Sequence, residues 1–216
     1  LPHSQQMAVR LPEHEIYMTT PYSVAGIILA TGQEPVAGQF PPLIQHNGCT
    51  RLETAVHNLV AGGAISVIVV LGDRASEVST VLNAMRDERI FGTKNRHYLK
   101  NNTMASIALG VRTAQALACF GQCDRVPDAC IIVPENALLV QPETYAALIR
   151  KMRESQAAVL IPHVKEKAVY PVLASSACFE HLINTRQVLK LSTALKHFAN
   201  ATLAVDITDP GCLAEL

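Results

Sequence analysis

Apolar runs without a polar break alternate along the chain with stretches in which apolar residues return every three or four positions. Val24-Ala25-Gly26-Ile27-Ile28-Leu29-Ala30 is the first run, closed by Thr31-Gly32, and Ile65-Ser66-Val67-Ile68-Val69-Val70-Leu71 and Asp128-Ala129-Cys130-Ile131-Ile132-Val133 are two more. Runs of this kind, rich in β-branched residues, predict parallel strands covered on both faces. Leu52, Ala55, Val56, Leu59 and Val60 keep the spacing of one helix face. Thr50-Arg51-Leu52-Glu53 supplies a capping box before them, and Gly62-Gly63 a left-handed stop after them. A second helix follows Gly72-Asp73 with Val78, Val81, Leu82 and Met85 on one side, and a third runs from about Thr103 through Ile107, Val111 and Ala114 to about Ala118. Pro142 opens a fourth, with Tyr145, Leu148, Ile149 and Met152 toward the core. Shorter signals predict strands at Ala158–Ile161 and Tyr170–Leu173, helices near Phe179–Ile183 and Val188–Phe198, and a last strand at Leu203–Asp206. Pro171 argues that the Tyr170 strand lies at a sheet edge.

Strand and helix in repeated alternation predict an α/β domain, a three-layer α/β/α sandwich around a mostly parallel mixed sheet. Residues Leu1 to Ser23, with Pro2, Pro12 and Pro21, read as an extended lead-in, and 24–216 as the domain. A start at Leu rather than Met and an abrupt end at Leu216 suggest a piece of a longer polypeptide. The 216 residues, 49% hydrophobic, suffice for one buried core. Eighteen basic and 18 acidic residues balance without a basic cluster, which argues against a nucleic-acid partner. No apolar stretch reaches the roughly 18 residues of a membrane span, and the first residues do not resemble a signal peptide, so a cytoplasmic protein with no membrane partner is expected. Of six cysteines only Cys119 and Cys123 are close, and no second pair or histidine cluster completes a metal-ligand spacing; reduced thiols are expected.

The loop after the first strand, Leu29-Ala30-Thr31-Gly32-Gln33-Glu34-Pro35-Val36-Ala37-Gly38-Gln39-Phe40-Pro41, follows the frame of L-A-A-G-x-S-x-R-M-G-x-x-K, the signature of the molybdopterin nucleotidyltransferase-like (MobA/MocA) family, which the chain resembles. Further strings fall in the family's order. Gly72-Asp73 closes a strand as in V-V-L-G, and Val133-Pro134-Glu135-Asn136-Ala137 stands at G-D-Q-P. Tyr170-Pro171-Val172 is similar to H-P-V, and Val205-Asp206-Ile207-Thr208-Asp209-Pro210-Gly211 to V-D-V-D-D-P-G. The resemblance covers about residues 24 to 216. It implies the nucleotide-diphospho-sugar transferase (Rossmann-like) architecture and transfer of CMP or GMP from the triphosphate to molybdopterin, with Mg²⁺ as cofactor.

By that resemblance Leu29, Ala30, Thr31, Gly32, Gly38 and Ser106 are the candidate nucleotide-binding residues and Glu135 the candidate metal ligand. The family's Arg, Lys and Asp are replaced by Val36, Pro41 and Glu135, and its G-D-x-G-A-R string has no counterpart near Thr185 to Ala194. Glutamate can ligate Mg²⁺ from one methylene further out, but valine and proline neutralise no phosphate. Each lost contact to developing charge costs ~3 to 4 kcal/mol of transition-state stabilisation. The rival expectation is therefore a catalytically degenerate nucleotide-sensing or scaffolding domain, in a longer chain with an HD-type phosphohydrolase. Blander readings stand beside the sharp ones. Glu135 is either a ligand or a polar strand end; Gly32 and Gly38 either cradle phosphate or make turns; Asn101 to Ser106 either approach the nucleotide or cap a helix. Asp206 and Asp209 either approach a metal or cap a turn, Tyr170 is either the family's histidine in function or an edge aromatic, Lys165 and Lys167 either touch a pterin phosphate or are solvated, and His163 and His181 show no dyad partner.

Overall fold

A computed structural model of the chain describes residues 21–32, 39–98, 103–185, 189–212 and 216. Val36 and Gly38 of the first loop, Asn101 and Asn102, and most of the expected lead-in lie outside the described residues. Strand β1 (Val24–Ala30) leads through a small hairpin, β2 (Gln45–His46) and β3 (Cys49–Thr50), into α1 (Arg51–Ala61). The chain continues through β4 (Ser66–Leu71), α2 (Ala75–Met85), β5 (Ile90–Lys94), α3 (Thr103–Cys119), β6 (Ala129–Pro134) and α4 (Pro142–Ser155). It ends with β7 (Val159–Val164), β8 (Lys167–Ala168), β9 (Val172–Ser175), α5 (Phe179–Asn184), α6 (Leu191–Leu195) and β10 (Thr202–Asp206).

The main sheet runs in the order β10-β7-β9-β6-β1-β4-β5, parallel except for β9, with β8 added antiparallel to β7. From β1 the chain moves outward on one side to β4 and β5, then α3 carries it back past β1 to β6 on the other side. That reversal opens a crevice at the carboxyl ends of β1 and β6, the place where open α/β sheets bind ligands.

Alternate residues of each strand feed two cores. Val24, Ile28, Val67, Val69, Ile131 and Val133 meet α1, α2 and α4 through Leu52, Leu59, Val78 and Tyr145. Ala25, Ile27, Leu29, Ile68, Val70 and Ile132 meet α3, α5 and α6 through Ile107, Val111, Phe179, Leu182 and Leu195. The three layers expected from the pattern are therefore present. The capping box of α1 also forms: Glu53 N–H donates to Thr50 Oγ1 at 3.2 Å, and Thr50 N–H to Glu53 Oε2 at 2.6 Å.

One strand was not expected, and two expectations need correction. Strand β5 has no counterpart in the apolar pattern, because Ile90-Phe91-Gly92-Thr93-Lys94 lies at the sheet edge, half-exposed, and needs no continuous apolar run. Strand β9 is interior, between β6 and β7, not at an edge. Its ladder begins at Val172, so Pro171 stands just outside and its missing N–H removes no sheet bond. The long helix expected up to Phe198 is instead the short α6, followed by a 3₁₀ segment at Lys196–Ala201. Among the described residues no helix is long and apolar enough to cross a membrane.

Candidate functional site

The crevice is walled by the turns that leave β1, β4 and β6. Gly32 N–H donates to Glu135 Oε2 at 3.0 Å, a bond that joins the turn after β1 to the turn after β6 across the point of reversal. Glu135 is only 5% exposed, so its carboxylate is held in one orientation by this bond rather than by solvent. On the other side Asp73 N–H donates to the Thr31 carbonyl at 3.0 Å and fastens the β1 turn to the β4 turn. Gly32 sits at φ +75°, and a Cβ there would lie 2.8 Å from Asp73 Cβ and 3.1 Å from the Phe40 ring. Only glycine combines that backbone with that approach.

The remaining expected residues divide by what they can present. Leu29 and Ala30 are buried, with side chains in opposite cores and register partners on β4 and β6; what they offer a ligand is backbone. Thr31 is buried at the crevice mouth. Ser106 is fully buried in the first turns of α3, where its Oγ accepts from Asn95 Nδ2 at 2.9 Å. Asn95 in turn accepts from His97 N–H through Oδ1, and its own N–H donates to the Leu71 carbonyl. Ser106 thus fixes the segment that follows β5, a link no linear spacing signals. Pro41 opens a 3₁₀ turn at Pro41–Leu43 with Pro41 and Pro42 buried, so the position that the resemblance sets against a lysine carries packing.

Arg74 stands at the same edge, its guanidinium carbon 5.6 Å from the centre of the Phe40 ring. Its Nε donates to Glu77 Oε1 at 2.7 Å and a terminal nitrogen pairs with Glu77 Oε2. That charge is answered within α2. Asp209 takes the capping role of its two alternatives: its carboxylate accepts from Gln141 N–H at 2.8 Å and Thr144 Oγ1 at 2.7 Å, and from Gly211 N–H at 2.7 Å. It caps α4 from across the chain. Asp206 is exposed at the end of β10, three strands from β6, or about 14 Å at ordinary sheet spacing.

Lys165 and Glu166 form the positive-φ turn between β7 and β8, two strands from β6. Tyr170 is half-buried and packs against both cores. His163 lies opposite Asp206 in the β7–β10 register. His181 stacks on His197 with ring centres 4.4 Å apart, and its Nε2 lies 3.1 Å from the Ala194 carbonyl oxygen, on the far face of the sheet. Cys119 and Cys123 are free thiols, and no group of three His, Cys, Asp or Glu able to hold a metal occurs among the described residues.

A crevice at the reversal point, a buried acidic residue after β6 and a glycine turn after β1 call for comparison with known proteins. The model of the MobA-like NTP transferase domain family matches residues 26–202. The chain belongs to this family. No curated protein sequence matches the MobA-like chain. Its fold is shared by Rv0371c from Mycobacterium tuberculosis H37Rv, at 18% identity and TM-score 0.66 over 88% of this chain and 91% of that one. The same protein in complex with manganese gives 17% identity and TM-score 0.60 over 86% and 90%. A nucleotidyl transferase from Methanothermobacter gives 18% identity and TM-score 0.67 over 87% and 88%. A CMP:2-keto-3-deoxy-manno-octonic acid synthetase complexed with CTP gives 12% identity and TM-score 0.60 over 89% and 93%. The MobA-like chain therefore has the nucleotidyltransferase fold.

Mg²⁺ keeps several waters and is usually held by one or two carboxylates together with substrate phosphates, so it does not require a closed protein cage. Glu135, buried at the crevice and oriented by Gly32, meets that modest demand.

Proposed function

We propose that this MobA-like domain binds a nucleoside triphosphate at the carboxyl edge between β1 and β6 and passes its nucleotidyl group, CMP or GMP, to molybdopterin. The observation that carries the reading is the Gly32–Glu135 bond, which fixes an acidic group and the start of the first loop on the two sides of the crevice. The presence of CTP in one protein of the same fold and of manganese in another supports the same reading.

In the reaction an oxygen of the acceptor's phosphate attacks the α-phosphorus. The new P–O bond forms as the bond to the oxygen bridging the β-phosphate breaks, and pyrophosphate leaves with that electron pair. Glu135 would hold Mg²⁺, which when bound withdraws negative charge from the phosphates. Gly32 keeps the Glu135 carboxylate turned toward the crevice, and the Asp73–Thr31 bond keeps the β1 turn from drifting away from it. Asn95 and Ser106 hold the segment after β5 against α3, on the β4 side of the same edge.

A second reading, nucleotide binding without transfer in a sensing or scaffolding role, is favoured by a specific observation: Pro41 is buried in a turn where the family places a lysine. Calorimetric titration of CTP, GTP and ATP with and without Mg²⁺, followed by an assay of pyrophosphate release with a molybdopterin acceptor, separates the two. Mg²⁺-dependent binding of one nucleotide, lost in Glu135→Ala, together with pyrophosphate release, is the result expected. Binding without release would leave the second reading, and affinity unchanged in Glu135→Ala would remove the metal role.

A further inference from the structure

Beside the crevice, on the α1 and α4 side, lies a cavity of about 150 Å³ bordered by Arg51, Glu135, Asn136, Leu139 and Gly211. Its walls come from distant parts of the chain and are fastened to each other. Asn58 Nδ2 of α1 donates to the Val140 carbonyl at 2.8 Å, and Asp209 bonds Gln141, Thr144 and Gly211. A Cβ at Gly211 would lie 2.3 Å from the Leu139 carbonyl oxygen, so glycine there lets the last turn close against the wall.

Arg51 is the cation of this cavity and its charge is unanswered. Its guanidinium makes no ion pair with any described residue, and Nε is shut off from the surface with no acceptor among the described residues. Burying such a donor unsatisfied costs about 1–3 kcal/mol. Helix stability does not account for the residue either. Arg51 is the first residue of α1, where a positive side chain opposes the helix dipole, and its side chain has no part in the cap: Thr50 and Glu53 serve each other's amides and the Ile44 carbonyl accepts from Arg51 N–H. At about 30 Å³ of liquid volume per water, the cavity has room for about five waters, enough for a phosphoryl group.

We propose that Arg51 holds a phosphate group in this cavity and thereby supplies the positive charge that Val36 and Pro41 do not. A planar guanidinium offers paired N–H donors to two phosphate oxygens, which a proline- and valine-bearing loop cannot. The assignment of that phosphate to a nucleotide or to its phosphorylated acceptor rests on the nucleotidyl-transfer reading; the phosphate site itself does not. Glu135 on the same wall sets a selection rule. It repels a bare polyanion and tolerates one that carries a divalent cation, so pyrophosphate binding strengthens with Mg²⁺.

The test is calorimetric titration of inorganic phosphate, pyrophosphate and CTP, each with Mg²⁺, into the unaltered 216-residue chain, Arg51→Gln and Arg51→Lys. Loss of a charge-assisted contact predicts affinity lowered about 10- to 100-fold in Arg51→Gln, with Arg51→Lys between it and the unaltered chain. The melting temperature of Arg51→Gln stays the same or rises slightly, because the guanidinium bonds to no described group and its buried Nε–H is an unsatisfied donor. In the unaltered chain the Arg51 Nε–H resonance moves as phosphate is added, a readout that needs no variant to fold. Affinity equal in Arg51→Gln, or a resonance that does not move, overturns the proposal. Phosphate binding that persists beside saturating CTP assigns the site to the acceptor, and displacement by CTP assigns it to the nucleotide; both uphold it. Pyrophosphate binding lost in Arg51→Gln with no nucleotide bound at all sustains the cavity and removes the nucleotide reading. Nucleotide bound equally by all three chains does the reverse.

Discussion

Arg74 and Arg51 stand on opposite flanks of one sheet edge. Arg74, 41% exposed, lies over Phe40 and is paired with Glu77 one helical turn away. Arg51 borders a cavity whose Gly211 wall is held by a buried aspartate, and among the described residues it has no acceptor for Nε. The first arrangement is a solvated surface pair that a helix forms from its own residues. The second needs α1, the turn after β6 and the segment after β10 to meet, and it keeps a charge for something outside the protein. At this edge the informative cation is the one without a partner.

The comparison breaks most readily at Asp209, which fastens the Arg51 flank. Asp209→Ala removes a buried acceptor of three hydrogen bonds and should cost about 3 kcal/mol, since bonds to charged groups contribute about 1.5–3 kcal/mol each and do not sum fully. For a chain of this size that is a fall of roughly 6–12 °C in Tm by scanning calorimetry. A loss below 1 kcal/mol would mean that the flank is not held by this latch.

Next in size is the cap that positions Arg51. Thr50→Ala should cost about 1 kcal/mol in urea unfolding. The cap has a pH signature as well. The Thr50 backbone N–H and then its hydroxyl hold the Glu53 carboxyl below its ordinary value of 4.5. A lowered folded pKa gives stability that is present above pH 4.5 and lost as pH falls through the folded value. Glu53→Gln should therefore flatten the acid limb of the stability curve and leave stability near neutral pH lower by the loss of the charged cap. An acid limb of unchanged slope would contradict the role of the cap.

Smaller still is the Arg74 flank: Arg74→Ala should leave the urea midpoint within measurement error of the unaltered chain, as the loss of a solvent-exposed pair does. Tyr145→Phe sits at the bottom of the scale. Tyr145 is buried in the α4 core with a hydroxyl that finds no partner among the described residues, and burial first, then the nearby Cys212 and Asp209, hold its phenol well above the usual range. Removing that hydroxyl should leave Tm unchanged or raise it slightly; a drop of several degrees would reveal a bond to Oη that this account lacks.

Much of the fold was legible because its central strands are uninterrupted apolar runs and its helices keep one-face spacing. The elements that escaped are those whose environment departs from that rule. Strand β5 is a half-exposed edge with Gly92 and Lys94 in it, and β9 is interior although a proline stands at its door. At the site, Gly32 and Glu135 were legible as positions, from the loop after the first strand and the end of the third apolar run. Their mutual bond was not, because 103 residues separate them. The Asp209 cap was hidden for the same reason, and the Asn95–Ser106 link and the His181–His197 stack because each joins two different elements, which no spacing within one element signals. The Arg51 cavity left one trace in the sequence, an arginine inside the capping box where the helix dipole favours an acid.

The central claim is that a nucleotide enters at the bond between Gly32 and Glu135. The most direct measurement is amide chemical-shift mapping of the ¹⁵N-labelled chain as CTP and then GTP are added with Mg²⁺. The Gly32 amide should move most, with Thr31 and Asp73 beside it, and the effect should disappear without Mg²⁺. A nucleotide that leaves Gly32 unmoved, or that shifts amides only on the far face around α5 and α6, would contradict it.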